Sequence, residues 1–572
     1  MREWSHRVGA WRRQIAGAWQ GAELRWLGAV LVLAAALRIA WVLYAAREPQ
    51  GLHDPSFYYG YGQGIANGFG YALPDGPTAY YPAGYPAALA AVYYLVGHTP
   101  IPDNLVLATG FFQVFLSVAT VALVYYLGRR LFTPTVGLLA ALWMALFPNL
   151  IFHTAAFLTE TLFIFLVLAA LAVLFSFRWQ EERPGWARLL VFGVLLGLSA
   201  LVRPISLLLL PLLPIAWLIA GFGWQRALGY SGAVLVVTAA VIAPWTIRNA
   251  VRMDAFVIIS TNLGDNLCMG HYAGARGHFA LPERCFSEEE YAGLDRPAFE
   301  VARNNDNIRK AISFALENPR FELKLLSRKA YHLWRHDHDG LAAVESYGDD
   351  PFIGANLSLV ILPDKVPDDQ FFFILQGVER LTGLDYGELV DQVFDAKKNG
   401  VEELVVLEDL DPETARLIRE EVLFGVRIRS DSALRTALER IADVFFFVTI
   451  SLGGLGLAGF VLTRRPAGAK GIAALSPRNA QRIFFMFALL ALAGIPLVFF
   501  GDARFHVPVL PFLAVSAAWA VVAAGDLVTG GRRSGFVEVA DAELSPPEQD
   551  ALENAQADEE GDQGAATLAD ER

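Results

Sequence analysis

A run of roughly twenty apolar residues is long enough, as a helix, to cross the hydrocarbon core of a bilayer. Such runs recur from one end of this chain to the other: Trp26–Ala45, Leu105–Leu127, Pro134–Phe152, Ala155–Phe177, Ala187–Leu201, Ile205–Phe222, Leu228–Ile247, Ile441–Thr463, Ile483–Phe500 and Val507–Ala524. Composition agrees. Of 572 residues, 55 % are hydrophobic and 18 % charged, with a mean hydropathy of +0.39, whereas soluble domains are about a quarter charged. The expected fold class is therefore an all-α polytopic membrane protein of about ten transmembrane helices. The first apolar run is too long and too far from the start for a cleavable signal peptide.

The formal charge of −12 is concentrated in the tail from Glu538 to Glu571. Elsewhere the chain is close to neutral, so bulk charge points to no nucleic-acid partner. Lys and Arg in short loops set orientation. Arg2 to Arg25, Arg129/Arg130, Arg178 to Arg188, Arg226, Arg464 to Arg482 and Arg532/Arg533 all fall on one side if every run crosses. That side is expected to be the cytoplasm, with both termini on it, in a plasma (inner) membrane. The opposite, outer side receives a first loop, 47–104, a long insertion, 248–440, and the turn Gly501–His506. The domain reading is thus 1–247 membrane region with first loop, 248–440 extracytoplasmic domain, 441–526 C-terminal membrane helices, and 534–572 an acidic tail too poor in apolar residues to order.

The insertion has soluble character and is expected to be mixed α/β or α. Asp411-Pro412-Glu413 reads as a helix start and Gly425 as a stop. The runs Leu357–Leu362 and Phe371–Leu375 are too short to span and read as core pieces or surface-seeking helices. Cys268 and Cys285, the only cysteines, both lie here. A disulfide and two buried thiols are equally open at this point.

Arg38, Arg203, Arg248 and Arg504 lie in the outer part of an apolar run or at its outer end, where cations should be scarce. Such arginines usually face an interior cavity and need anionic partners, a lipid phosphate being the natural one; snorkelling or a structural ion pair is the bland reading of each alone. Asp54 follows the first run and Glu160 opens the fourth. A carboxylate there can act as general base toward a hydroxyl, and a second can orient groups or hold a metal, while an N-cap would explain either without function. His332, His336 and His338, the first two at i, i+4, form a second metal candidate as a side hypothesis; an amphipathic helix lying on the membrane surface is the plainer reading, because spacing alone often misleads.

The stretches Asp54-x-x-x-Tyr58, Gly64-Ile65-Ala66-Asn67-Gly68-Phe69-Gly70-Tyr71 and Pro77-Thr78-Ala79-Tyr80-Tyr81-Pro82-Ala83-Gly84-Tyr85-Pro86 resemble the first outer loop of the family 39 glycosyltransferases, the protein O-mannosyltransferase-like and lipid A aminoarabinose transferase-like enzymes of the GT-C fold. Leu158-Thr159-Glu160-Thr161-Leu162-Phe163, Leu201-Val202-Arg203-Pro204, Pro244-Trp245-Thr246-Ile247-Arg248-Asn249 and Arg504-Phe505-His506-Val507-Pro508 extend the likeness. The resemblance implies inverting transfer of a sugar from a polyprenyl-phosphate carrier to an acceptor hydroxyl. Asp54 would be the base; Arg504, Arg203, Arg38, Arg248 and His506 would bind the donor phosphate; Glu160 would orient groups or hold a divalent cation; Tyr58, Tyr81 and Tyr85 would form a substrate loop. Where the family often has an acid after the first-loop Asp, this chain has Pro55, and Pro82-Ala83 stands where the family has Pro-Pro. Metal binding therefore does not transfer securely. From about Met253 to Arg440 no resemblance is found, so the acceptor (glycan, lipid or protein) stays open. Two alternatives remain: a lipid-linked glycan transporter, and a glycan polymerase or ligase. No strand followed by G-x-G-x-x-G argues for a soluble nucleotide-sugar donor.

Overall fold

The computed structural model describes residues 21–49, 53–98, 104–179, 182–286, 289–345, 356–366, 371–422, 425–462 and 479–528. The basic N-terminus before residue 21 and the acidic tail lie outside them. The chain divides into two compact units after residue 520, and the first, Met1–Ala520, holds almost all described residues and every element of the site.

Among the described residues, six helices are long and apolar enough to cross a membrane: Glu23–Ala45, Leu105–Leu131, Trp224–Arg252, Ala433–Gly459, Ala480–Val498 and Ala503–Val528. They coincide with six of the ten expected runs, and the protein is a multi-pass membrane protein. The other four runs form shorter helices, Pro134–Leu146, Glu160–Leu174, Trp186–Val202 and Pro204–Ile219, which leaves the count of ten spans without confirmation by helix length. The interruptions have local causes. Phe147 is extended before Pro148, which opens the short helix Pro148–Phe152, because proline disfavours helical geometry in the residue before it. Pro204 likewise follows an extended Arg203 and starts a 3-10 turn. A further apolar helix, Gly84–Gly97, lies within the first loop and was not expected as an element.

Small residues let these helices approach closely. On Trp186–Val202, Gly193 and Gly197 are spaced by four and face Val237 and Val241 of Trp224–Arg252, where an added Cβ would come within 2.9 and 2.7 Å of the valine side chains. Gly84 abuts the backbone of Leu201 and Val202, at 2.6 Å for an added Cβ. The first loop is thereby locked onto the end of the helix that presents Arg203.

The loop opens with the helix Asp54–Ala66 and a tight hairpin, β1 (Ala72–Leu73) and β2 (Gly76–Pro77). The insertion contributes two parts. One is an antiparallel sheet in the order β4 (Leu404–Leu410), β3 (Asn356–Ile361), β5 (Val426–Asp431). The helices Phe371–Thr382, Tyr386–Asn399 and Pro412–Glu421 cover it, around Leu359, Ile361, Leu375, Val393 and Ile418. The two short apolar runs are thus core pieces, one a central strand and one a helix start, and the α/β form of the insertion is the one present. The expected N-cap at Asp411 accepts from Thr414 N at 2.9 Å, and Gly425 adopts a left-handed φ of 64°.

The other part is helical: Leu263–Gly270, Arg296–Glu317 and Pro319–Trp334. Cys268 and Cys285 are joined in a disulfide there, with Cα atoms 5.9 Å apart. Two buried acids tie this part to the first loop. Glu300 accepts from Thr78 Oγ1 (2.5 Å), Ala79 N (3.0 Å) and Arg296 Nε (3.0 Å). Asp265 accepts from Tyr80 OH (2.8 Å), Arg303 (2.9 Å) and Asn307 (2.8 Å). A buried carboxylate is tolerated only with such partners, so each of these acids fixes loop and insertion as one piece.

Candidate active site

Four residues distant in sequence meet where the first loop, two helix ends and a turn converge. Asp54 begins a helix whose preceding His53 makes no side-chain cap, and Glu160 opens Glu160–Leu174. Arg203 ends Trp186–Val202, and Arg504 sits in a 3-10 turn whose N-cap, Asp502, accepts from Arg504 N at 2.9 Å. Arg504 reaches Asp54 Oδ2 through Nη1 at 2.6 Å and Glu160 Oε1 through Nε at 2.6 Å. Arg203 Nη1 donates to the same Glu160 oxygen at 2.5 Å. Two guanidinium groups and two carboxylates therefore form one neutral cluster.

The carboxylates are not equivalent. The Glu160 side chain is 0 % exposed and that of Asp54 is 32 % exposed. Of the two, only Asp54 is open; Glu160 is sealed beneath the two arginines with which it pairs. Asp54 Oδ1 also accepts from Tyr81 OH at 2.8 Å, and the Tyr58 ring packs edge-on against Tyr81 and Tyr85. Burial, and after it the Asp54 charge, holds the Tyr58 and Tyr81 phenols well above their ordinary range. They stay neutral and keep their hydrogens to donate.

A cavity of about 1270 Å³ opens over this cluster. Asp54, Tyr58, Tyr81, Arg203 and Arg504 line its floor, with Ile205, Phe499 and Phe505 forming an apolar flank. Much of its remaining wall belongs to the insertion and includes Ser260, Asn262, Arg303 and Asn304. Sequence reasoning missed this wall, and with it Glu300 and Asp265, because nothing local marks which face of an amphipathic helix will meet a loop two hundred residues away.

Three expected phosphate binders are placed elsewhere. Arg38 is fully buried among helices and donates to Ser117 Oγ (2.7 Å), Ala145 O (2.9 Å) and Met144 O (2.9 Å). Pro148 ends the helix Pro134–Leu146 there, and Arg38 binds carbonyls that would otherwise lack partners. Arg248 donates to Thr78 O (2.7 Å) and to Tyr71 O, and lies over the Trp245 ring; it tethers the first loop. His506 is fully buried, bonded to Leu333 O (2.6 Å) and Asp337 Oδ1 (2.8 Å) between the rings of Trp334 and Phe446. Tyr85 is buried behind Tyr58 and does not line the cavity.

The histidine trio does not converge. Pro319–Trp334 ends before His336, so His332 and His336 share no helix face. His332 lies beside His278 and Glu402, whereas His336 stacks on His338, which reaches Asp443 at 3.1 Å. Burial, and then His338, pushes His336 down to about 3; His338, though buried, is held above its ordinary value by Asp443. Among the described residues no group of three or more His, Cys, Asp or Glu could hold a metal ion.

Residues 83–247 match the family model described as dolichyl-phosphate-mannose-protein mannosyltransferase. The matched segment contains Glu160 and Arg203 but neither Asp54 nor Arg504. Curated proteins give no match. Among solved structures, the archaeal oligosaccharyltransferase AglB from Archaeoglobus fulgidus, in complex with an inhibitory peptide and a dolichol-phosphate, aligns at 14 % identity and a TM-score of 0.43, covering 90 % of this chain and 52 % of that one. The chain spans about half the length of that enzyme. ArnT from Cupriavidus metallidurans bound to undecaprenyl phosphate aligns at 12 % identity and a TM-score of 0.36, over 88 % of this chain and 78 % of that one. The family match covers less than a third of the chain, all of it in the membrane region, and there it agrees with the resemblance read from the motifs.

Proposed function

We propose that this membrane glycosyltransferase moves a sugar from a polyprenyl-phosphate donor to an acceptor hydroxyl, with inversion, on the extracytoplasmic side of the plasma membrane. The observation that carries the reading is Arg504, which bridges Asp54 and Glu160 at the floor of a large cavity. Asp54 takes the proton of the attacking hydroxyl as the new bond to the anomeric carbon forms. The bond from that carbon to the phosphate oxygen breaks, and its electron pair leaves with the lipid phosphate. Asp54 loses its negative charge as the phosphate gains one, so Arg504 exchanges one anionic partner for another without a change in local charge. Arg203 adds a second guanidinium, and buried Glu160 keeps both aimed at the cavity floor. The apolar flank of Ile205, Phe499 and Phe505 suits the prenyl chain.

The side assignment rests on loop Lys/Arg asymmetry. It puts both termini in the cytoplasm and leaves the cavity facing outward. The test is incubation of purified protein with a panel of radiolabelled polyprenyl-phosphate sugars. Loss of label from one lipid in the presence of a hydroxyl acceptor is expected; retention of label on every member would contradict the reading.

A further inference from the structure

The helix Pro319–Trp334 has a buried and a bare side, and neither belongs to the cavity. Leu325, Lys329, His332 and Leu333 are buried. That side sits on the turn before the last membrane helix: a Cβ on Gly501 would meet Lys329 O at 2.1 Å and His332 Cβ at 2.9 Å. At its end Trp334 stacks on His506, with ring centroids 5.4 Å apart. The turn joins Ala480–Val498 to Ala503–Val528, so a helix resting on it lies at the level where the bundle leaves the bilayer.

Arg320, Leu323, Lys324, Ser327, Arg328 and Tyr331 are all exposed and recur at spacings of three and four, which puts them on one face of the helix. Leu323 is 73 % and Tyr331 63 % exposed, and Leu326 beside them is 43 % exposed. The stripe holds three cations and no acid, and among the described residues none of the three is in an ion pair. A helix with cations and apolar residues together on its bare face, held at interface height, has the make-up of one that lies in the headgroup layer. Cations near such a surface gain from negatively charged lipids.

We propose that the face Arg320/Leu323/Lys324/Arg328/Tyr331 docks on the anionic phospholipid headgroups of the surrounding leaflet. It thereby fixes the height of the insertion over the membrane-embedded cavity floor. This docking is independent of the transfer chemistry.

Because Cys268 and Cys285 are joined, a single introduced cysteine is the only free thiol. The full chain carrying Leu323→Cys is labelled with an environment-sensitive fluorophore. It is reconstituted into nanodiscs of phosphatidylcholine alone or with phosphatidylglycerol, each doped with lipid spin-labelled near the headgroup. Glu413→Cys on the far part of the insertion serves as the reference. Expected is several-fold stronger quenching at position 323 than at 413 with phosphatidylglycerol present, falling to the reference level when Arg320→Glu, Lys324→Glu and Arg328→Glu are combined. Quenching at 323 equal to that at 413 would overturn the proposal. So would quenching of the same strength in phosphatidylcholine alone, or quenching that survives the charge reversal.

Discussion

Arg504 holds two carboxylates of different standing, and the difference sets what each substitution should do. Glu160 is sealed below it, while Asp54 shares the cavity with any ligand. Arg504→Ala should weaken donor binding and turnover together, by about 2–4 kcal/mol in transition-state terms. Titration of donor with steady-state rates measures this, and a change in turnover alone would exclude a phosphate-binding role. Arg38→Met should behave oppositely. It removes donors to three backbone carbonyls deep in the bundle, and by the usual cost of unmet buried groups lowers stability by about 1–3 kcal/mol. Turnover per folded molecule should be unchanged, as judged by thermal unfolding beside specific activity. Asp339, which also lines the cavity, is pushed up to about 7 by burial and then by Asp502. The folded protein binds that proton more tightly than the unfolded chain does, so this group costs stability as pH rises from the ordinary carboxylate value through about 7. Asp339→Asn should therefore raise thermal stability above neutral pH, and the gain should vanish in acid; an equal gain at all pH values would contradict it. Residue type and position made Asp54, Glu160, Arg203 and Arg504 legible in the sequence. They could not separate these from Arg38 and His506, because a cation at the end of an apolar run looks the same whether it faces a cavity or caps a broken helix.

At the scale of elements, the site depends on close backbone approaches that sequence shows only as scattered glycines. Gly84 lets the first loop touch the end of the helix carrying Arg203, with 2.6 Å left for a Cβ. Gly84→Ala should displace that contact and depress turnover more than it depresses stability, which specific activity beside thermal unfolding would reveal. The disulfide holds Leu263–Gly270, whose Asp265 grips Tyr80 of the loop. A bridge closing a loop of this size contributes about 3 kcal/mol. Replacing Cys268 and Cys285 with serine should therefore loosen the insertion, and limited proteolysis should cut it faster. The helix start at Asp411 and the core runs of the insertion were legible because capping and burial leave local marks. The break at Phe147 carried an equally local mark, the proline after it, which the apolar run masked, whereas the runs ending at Leu201 and starting at Ile205 already parted at Pro204. The pairing of insertion and loop through Glu300 left none, since it joins residues far apart in the chain.

For the whole molecule, the neutral Asp54–Arg504–Glu160–Arg203 cluster, the cavity above it and the insertion closing that cavity form one arrangement that would use charge exchange to release a lipid phosphate. Orientation is the first condition. Phe69→Cys in the first loop and Glu413→Cys in the insertion should each react with a membrane-impermeant thiol reagent in intact cells, while Ser534→Cys, beyond the described residues, should not; the reverse pattern would place the cavity on the cytoplasmic side. The central claim is tested most directly by sugar transfer from the lipid donor with Asp54→Asn, compared with wild type at matched folded protein. The account predicts at least about a hundredfold loss of turnover, the typical cost of removing a general base, with donor still bound; transfer at near wild-type rate would show that Asp54 is structural and that the chemistry lies elsewhere.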